Sequence, residues 1–230
     1  MNSTKRSGIL RAASRRLENW MMMVGSTTKL AIGIAAIILH LQAQVFDPTA
    51  EFSIDNGNPN GVWSYGWMPT DFGTFNLLTK NQNQWGDAGS LLYGWYDNFM
   101  PQWFDHFTPH ILLDNGSGVH PYVPAGWLTL HPGPGEEPAV LRWTAPASGT
   151  AHIEGQFLEG DEGTMLLAVL KAGVFLWQGT DSGSFDLYEN LNAGETIDFA
   201  VYGGYSYGNT PLEITITLSS EPDKPPGVWT

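Results

Sequence analysis

Between His131 and Asp198 the chain alternates apolar and polar residues in short runs, broken at close intervals by Gly, Pro, Asn or Asp: HPGPGEEPAVLRWTAPASGTAHIEGQFLEGD, then MLLAVLKAGVFLWQG, then SFDLYENLNAGETIDFAV. A side-chain period of two buries one face of each run, so such a segment settles as antiparallel strands packed in layers. The pattern predicts strands at Leu128 to Leu130, Ala139 to Trp143, Thr150 to Leu158, Met165 to Leu170, Val174 to Gln178, Ser184 to Tyr188, Thr196 to Tyr202 and Leu212 to Leu218. In the last of these Leu212, Ile214, Ile216 and Leu218 face a core while Glu213, Thr215 and Thr217 face water. Ile197, Phe199 and Val201 separate in the same way from Thr196, Asp198 and Ala200. Met165 to Leu170 is apolar on both sides, which predicts a central, covered strand. Lys171-Ala172-Gly173 and Asn192-Ala193-Gly194 supply hairpin turns with a glycine able to take positive φ. Short strands at this spacing predict an all-β fold, a two-sheet antiparallel jelly-roll β-sandwich.

The start of the chain reads as an export signal. Leu30 to Leu41 is an apolar run too short to span a bilayer comfortably, preceded by Lys29 and followed by the small-residue cleavage pattern Leu41-Gln42-Ala43. Residues 1–43 are therefore expected to be a secretory signal peptide. A later start at Met21, Met22 or Met23 would leave a leader of ordinary length. A twin-arginine signal at Ser14-Arg15-Arg16 is disfavoured by Glu18 and Asn19, which stand where that motif needs apolar residues. Cleavage removes six of the ten Lys and Arg and one of the twenty-three acids, leaving four bases, twenty-two acids and a net charge of −18. A surface of that sign repels nucleic-acid phosphates and anionic lipid, so neither nucleic acid nor, after cleavage, a membrane is an expected partner. The chain has no cysteine, so an exported domain must be held by core burial, without disulfides.

Residues 44–220 are expected to form one domain, with 221–230 (EPDKPPGVWT) a non-periodic, Pro-rich, disordered tail. Near its start, Asn58-Pro59-Asn60-Gly61 is a turn leading into Val62-Trp63-Ser64-Tyr65-Gly66-Trp67. Trp85, Tyr93, Trp95, Tyr96, Phe99, Trp103, Phe104 and Phe107 crowd a stretch with little periodicity. An aromatic-rich irregular insertion is expected there, over about residues 80–121, folded on an edge or face of the sandwich.

Residues that could carry chemistry are few. His106 and His110 have helical spacing for zinc, but Pro109 lies between them and no HExxH glutamate is present, so both are read as surface or loop histidines. His131 opens a Pro-Gly-Pro-Gly turn and is expected to bond backbone there. His152 falls on the polar side of its strand with Glu154 and Gln156. Glu159, Asp161 and Glu162, or Asp97 with Asn98, offer hard oxygens for a structural Ca²⁺, but no ligand ladder ends in a bidentate Glu, and solvated acidic turns explain them. No metal site and no cofactor are expected. There is no GxSxG elbow, no Cys and no recognisable Ser-His pair; Glu136 and Glu137 disqualify HPGPGEE as a phosphate loop. Arg142, a rare cation, is expected in a structural ion pair or bonded to backbone.

Aromatic rings remain in excess. Nine Trp follow residue 43, more than one sandwich core usually requires, and exposed rings are how β modules stack on sugars. Trp63, Tyr65, Trp67, Trp95, Tyr96 and Trp127 are the candidate ligand-binding rings. The competing account uses them as filling for an insertion poor in Leu, Ile and Val.

Three segments, HPGP at His131 to Pro134, RWTAPASGT at Arg142 to Thr150 and GETIDFAV at Gly194 to Val201, together with the opening at Asn58 to Trp67, carry a family resemblance. The chain resembles the jelly-roll domains of secreted and surface-sorted bacterial proteins of the exosortase-associated (PEP-CTERM) type, which are themselves similar to carbohydrate-binding β-sandwiches. The resemblance covers Asn58 to Trp67 and Trp127 to about Leu218, leaves out the aromatic insertion, and supplies no catalytic residue. It implies a secreted, periplasmic or cell-surface setting and a non-catalytic module for carbohydrate or a cell-surface polymer. The tail departs from the family in having no sorting helix or basic end. A self-associating structural or matrix protein is the alternative function, and a polysaccharide hydrolase the third.

Overall fold

A computed structural model describes residues 43–85, 92–100, 107–116 and 123–220. The expected leader, the tail at 221–230, Trp103, Phe104, His106 and His120 lie outside the described residues.

The first six strands come from the aromatic half of the chain: β1 (Gln44–Phe46), β2 (Trp63–Trp67), β3 (Asn76–Leu77), β4 (Lys80–Trp85), β5 (Leu92–Tyr96) and β6 (His110–Asp114). The alternating half supplies β7 (Leu128–His131), β8 (Ala139–Thr144), β9 (Gly149–Phe157), β10 (Leu166–Lys171), β11 (Val174–Thr180), β12 (Gly183–Leu191), β13 (Thr196–Tyr202) and β14 (Thr210–Ser219). All named strand pairs are antiparallel, and they build two sheets. An eight-stranded sheet runs β12-β9-β14-β7-β6-β5-β4 with β1 also on β14; a six-stranded sheet runs β11-β10-β13-β8-β2-β3. The described residues thus form a two-sheet antiparallel jelly-roll β-sandwich.

Between the sheets the alternating apolar residues meet. Trp63, Tyr65, Leu141, Trp143, Ile153, Phe157, Phe199 and Ile216 are all fully or almost fully buried in one cluster. Ring contacts knit it, as in the stacked pair Phe157 and Trp177, with centroids 5.9 Å apart and 11° between planes. At about 25 cal/mol per Å² of apolar surface removed from water, a core of this size stabilises the sandwich without any cross-link.

Two expectations change. The stretch expected to be irregular contributes β4, β5 and β6, which extend the eight-stranded sheet by successive antiparallel pairing. Its period-two signal is faint because β5 alternates rings with a glycine, and β6 (HILLD) is buried along its whole length. The second change concerns Asp198 and Ala200, expected on a wet face. Both are fully buried. The segment after β2 folds back over the outside of the six-stranded sheet, where Met68, Phe72 and Phe75 pack with Val140, Ala168, Leu170 and Ala200 in a second cluster. Gly66 permits this, since a Cβ there would collide with the Phe75 ring. Phe72 completes the cover with edge-on contacts to Phe175 and Tyr202 at 5.1 and 4.8 Å.

Candidate functional site

The six rings expected to bind a ligand do not form a common surface. Trp63 and Tyr65 have no exposed area and Trp95 has 5 %. The two indole N–H groups are turned to structural use: that of Trp63 donates to Glu51 Oε2 at 3.1 Å and that of Trp95 to the Ser53 carbonyl at 2.9 Å. Tyr65 stacks parallel to Trp95 with centroids 6.4 Å apart, and burial pushes its phenol above the ordinary tyrosine range. These three are interior filling and cannot meet an incoming ligand. The reason is compositional: the aromatic half is poor in Leu, Ile and Val, so its share of the core is built from rings. Trp67, Tyr96 and Trp127 are half-buried. Trp67 meets Phe99 edge-on at 4.8 Å, and Tyr96 meets Phe107 edge-on at 5.0 Å.

The NPNG turn is likewise structural. The Asn58 side chain accepts from the Tyr65 N–H at 3.0 Å and donates to the carbonyls of Tyr65 and Leu78 at 2.6 and 3.0 Å, tying β2 to the residue after β3.

Of the histidines, His131 bonds backbone as expected: Nδ1 faces the Pro132 carbonyl at 2.8 Å and Nε2 accepts from the Gly208 N–H at 3.3 Å. His110, expected at the surface or in a loop, is a buried β6 residue whose ring lies 5.0 Å from that of His131. Register places it there, since His110 pairs directly with His131 across β6 and β7. Its ring nitrogens meet the Phe107 carbonyl and Asn209 Oδ1 at 2.9 and 3.0 Å.

The acidic turns serve their own backbones. Asp161 Oδ1 accepts from the Glu162 N–H at 2.9 Å and Asp181 Oδ1 from the Met165 N–H at 2.9 Å, while Glu159 and Glu162 join them around a shallow pocket. Asp97 Oδ1 accepts from the Thr79 hydroxyl at 2.5 Å, and Asn98 Oδ1 from the Met100 N–H at 3.1 Å.

The outward face of the eight-stranded sheet at β12, β9 and β14 is different, because its functional groups point into solvent in a regular array. Pairing sets Tyr188, His152 and Thr217 in one row, Asp186, Glu154 and Thr215 in the next, and Ser184, Gln156 and Glu213 in a third. Ala151, Ile153 and Phe157 of β9 fill the core and leave His152, Glu154 and Gln156 on the outward side. The His152 and Tyr188 rings stack at 4.2 Å with 8° between planes. His152 Nε2 lies 2.7 Å from Asp186 Oδ1, and Nδ1 lies 3.6 Å from Glu154 Oε2. Gln156 donates to Glu213 Oε2 at 3.0 Å. Tyr188 keeps 51 % of its area exposed. Sequence reading placed His152, Glu154 and Gln156 on a wet face; it missed the site because the partners on β12 follow only from strand register.

No protein-family model and no curated protein sequence matches the chain. Among solved structures it is similar to a family 35 carbohydrate-binding module from Clostridium thermocellum, with 15 % identity over 39 % of this chain and 75 % of that one, at a TM-score of 0.28. The CBM36-1 domain of a multidomain xylanase from the hindgut metagenome of Trinervitermes trinervoides gives 11 % identity over 43 % and 81 %, with a TM-score of 0.31. A CBM35 from Paenibacillus barcinonensis gives 18 % over 43 % and 82 %, with a TM-score of 0.28. Scores of this size assign the chain to none of these families.

Proposed function

We propose that the protein is an exported, non-catalytic β-sandwich module that binds carbohydrate, and that it does so on the outward face of β9 and β12. One observation carries this reading: Tyr188, more than half exposed, stands beside the Asp186, His152 and Glu154 side chains on a regular, rigid sheet surface. A sugar ring offers an apolar C–H face to an aromatic ring, and its hydroxyls donate well to carboxylates. The acidic surface favours a neutral polymer over an anionic one. The apolar run ahead of residue 44 and the resemblance to exosortase-associated jelly rolls support export to the cell surface or beyond.

Electrophoresis of the native protein through gels containing neutral soluble polysaccharides tests the reading. At least one polymer should retard the wild type, and Tyr188→Ala should weaken that binding about tenfold or more, corresponding to about 1.4 kcal/mol. Tyr207→Ala, which alters another exposed tyrosine, should leave it unchanged. A wild type that no polysaccharide retards, or a Tyr188→Ala protein retarded equally, would remove this function.

A further inference from the structure

We infer that His152, Glu154 and Asp186 form a binding site for a zinc-class divalent cation. The inference does not depend on sugar binding. The donor atoms of the three side chains all lie within 4.8 Å of one another. They are brought together by register: Glu154 pairs directly with Asp186 across β9 and β12, and His152 is the next outward residue along β9.

Directly opposed like charges weaken a strand pair. Here they persist in the middle of a nine-residue ladder that is otherwise continuous. The basic side chains among the described residues are engaged elsewhere: Arg142 binds Asp198, Lys171 binds Glu189, and Lys80 lies over the Tyr96 ring. The facing acids therefore have only the imidazole to offset their repulsion, and a bound cation would offset it more completely.

The donor set selects the cation. One imidazole nitrogen and two carboxylates suit zinc, which takes N and O donors in a tetrahedral shell, whereas Ca²⁺ calls for six to eight oxygens. Zinc bonds of about 2.0–2.1 Å at tetrahedral angles hold donors about 3.3 Å apart. His152 Nε2 and Asp186 Oδ1 stand at 2.7 Å, so the Asp186 carboxylate must swing outward by roughly half an ångström, and the Glu154 carboxylate, 3.6 Å from Nδ1, must turn toward Nε2 for one ion to take all three donors. Both are free to move, since the Asp186 and Glu154 side chains are 67 and 62 % exposed. Stacking on Tyr188 fixes the plane of the imidazole in advance. Three protein ligands leave the fourth position to water.

Titration of zinc chloride into the untagged, chelator-treated full chain, followed by calorimetry with no carbohydrate present, tests the site. One zinc per chain is expected to be lost or weakened about tenfold to a hundredfold in His152→Gln and in Asp186→Asn, with calcium chloride giving much weaker binding. Glu154→Gln and Asp186→Asn change only exposed carboxylates on a regular strand pair, so the test survives even if His152→Gln disturbs the fold. Absence of zinc binding, or zinc bound equally by wild type, Asp186→Asn and Glu154→Gln, overturns the site. Because the titration contains no glycan, its failure leaves the polysaccharide experiment standing, and the converse also holds.

Discussion

Arg142 sits where a single cation decides whether a buried acid is tolerable. Its Nε and Nη2 donate to the two oxygens of Asp198 at 2.6 and 2.8 Å, and its guanidinium lies 4.0 Å over the Phe75 ring. Asp198 has no exposed area, so losing Arg142 leaves a carboxylate without water or partner. Arg142→Ala is expected to destabilise the fold by about 3–5 kcal/mol, read as a drop in the urea midpoint. The joint replacement Arg142→Met with Asp198→Leu should recover most of that loss, because two apolar groups there need no compensation. The rarity of basic residues made an ion pair for Arg142 legible, but the partner lies 56 residues away and is set by β8 and β13 pairing. Trp63 and Tyr65 teach the complementary lesson. Their alternation with Ser64 and Gly66 already marked one face of β2 as bulky, and bulk pointed inward, because the small face is the one Phe75 covers.

The strands of the second half were legible mainly because β9, β12 and β14 each bury one face against a continuous core, which imposes the period-two pattern over nine or ten residues at a time. The turn between β10 and β11 was equally legible and carries a defect. Lys171 pairs with Val174, so Ala172 and Gly173 form a two-residue loop, with φ of 47° and 82°. Both signs match the turn that suits strand twist, yet alanine in the left-handed region is strained by roughly 1 kcal/mol. Ala172→Asn is expected to stabilise the protein by about 0.5–1 kcal/mol, measured as a rise in unfolding midpoint. Strands β4 to β6 were not legible for the opposite reason: β6 is buried on both faces and β5 spends a position on Gly94, whose missing Cβ makes room for the Ile111 carbonyl and Leu112. The candidate site fell between these cases. Its β9 half could be read from one strand, whereas the β12 half required knowing which strand lies beside it.

Across the whole chain the formal charge is −13, and over residues 44–230 it is −18. Self-repulsion of this kind opposes compaction and is screened over about 10 Å at 0.1 M salt. Raising sodium chloride from low to moderate concentration at neutral pH should therefore raise the melting temperature by about 2–4 °C, the shift that ~1 kcal/mol produces in a chain of this size; calorimetry checks it. The placement of β1 has a mechanical result. Gln44 pairs with Leu218 and Phe46 with Ile216, so the first and last strands of the sandwich run side by side in opposite directions. Tension applied at residues 44 and 219 would load their three pairs one after another, like a zip, and peel β1 away before the long ladder between β14 and β9 felt any shear.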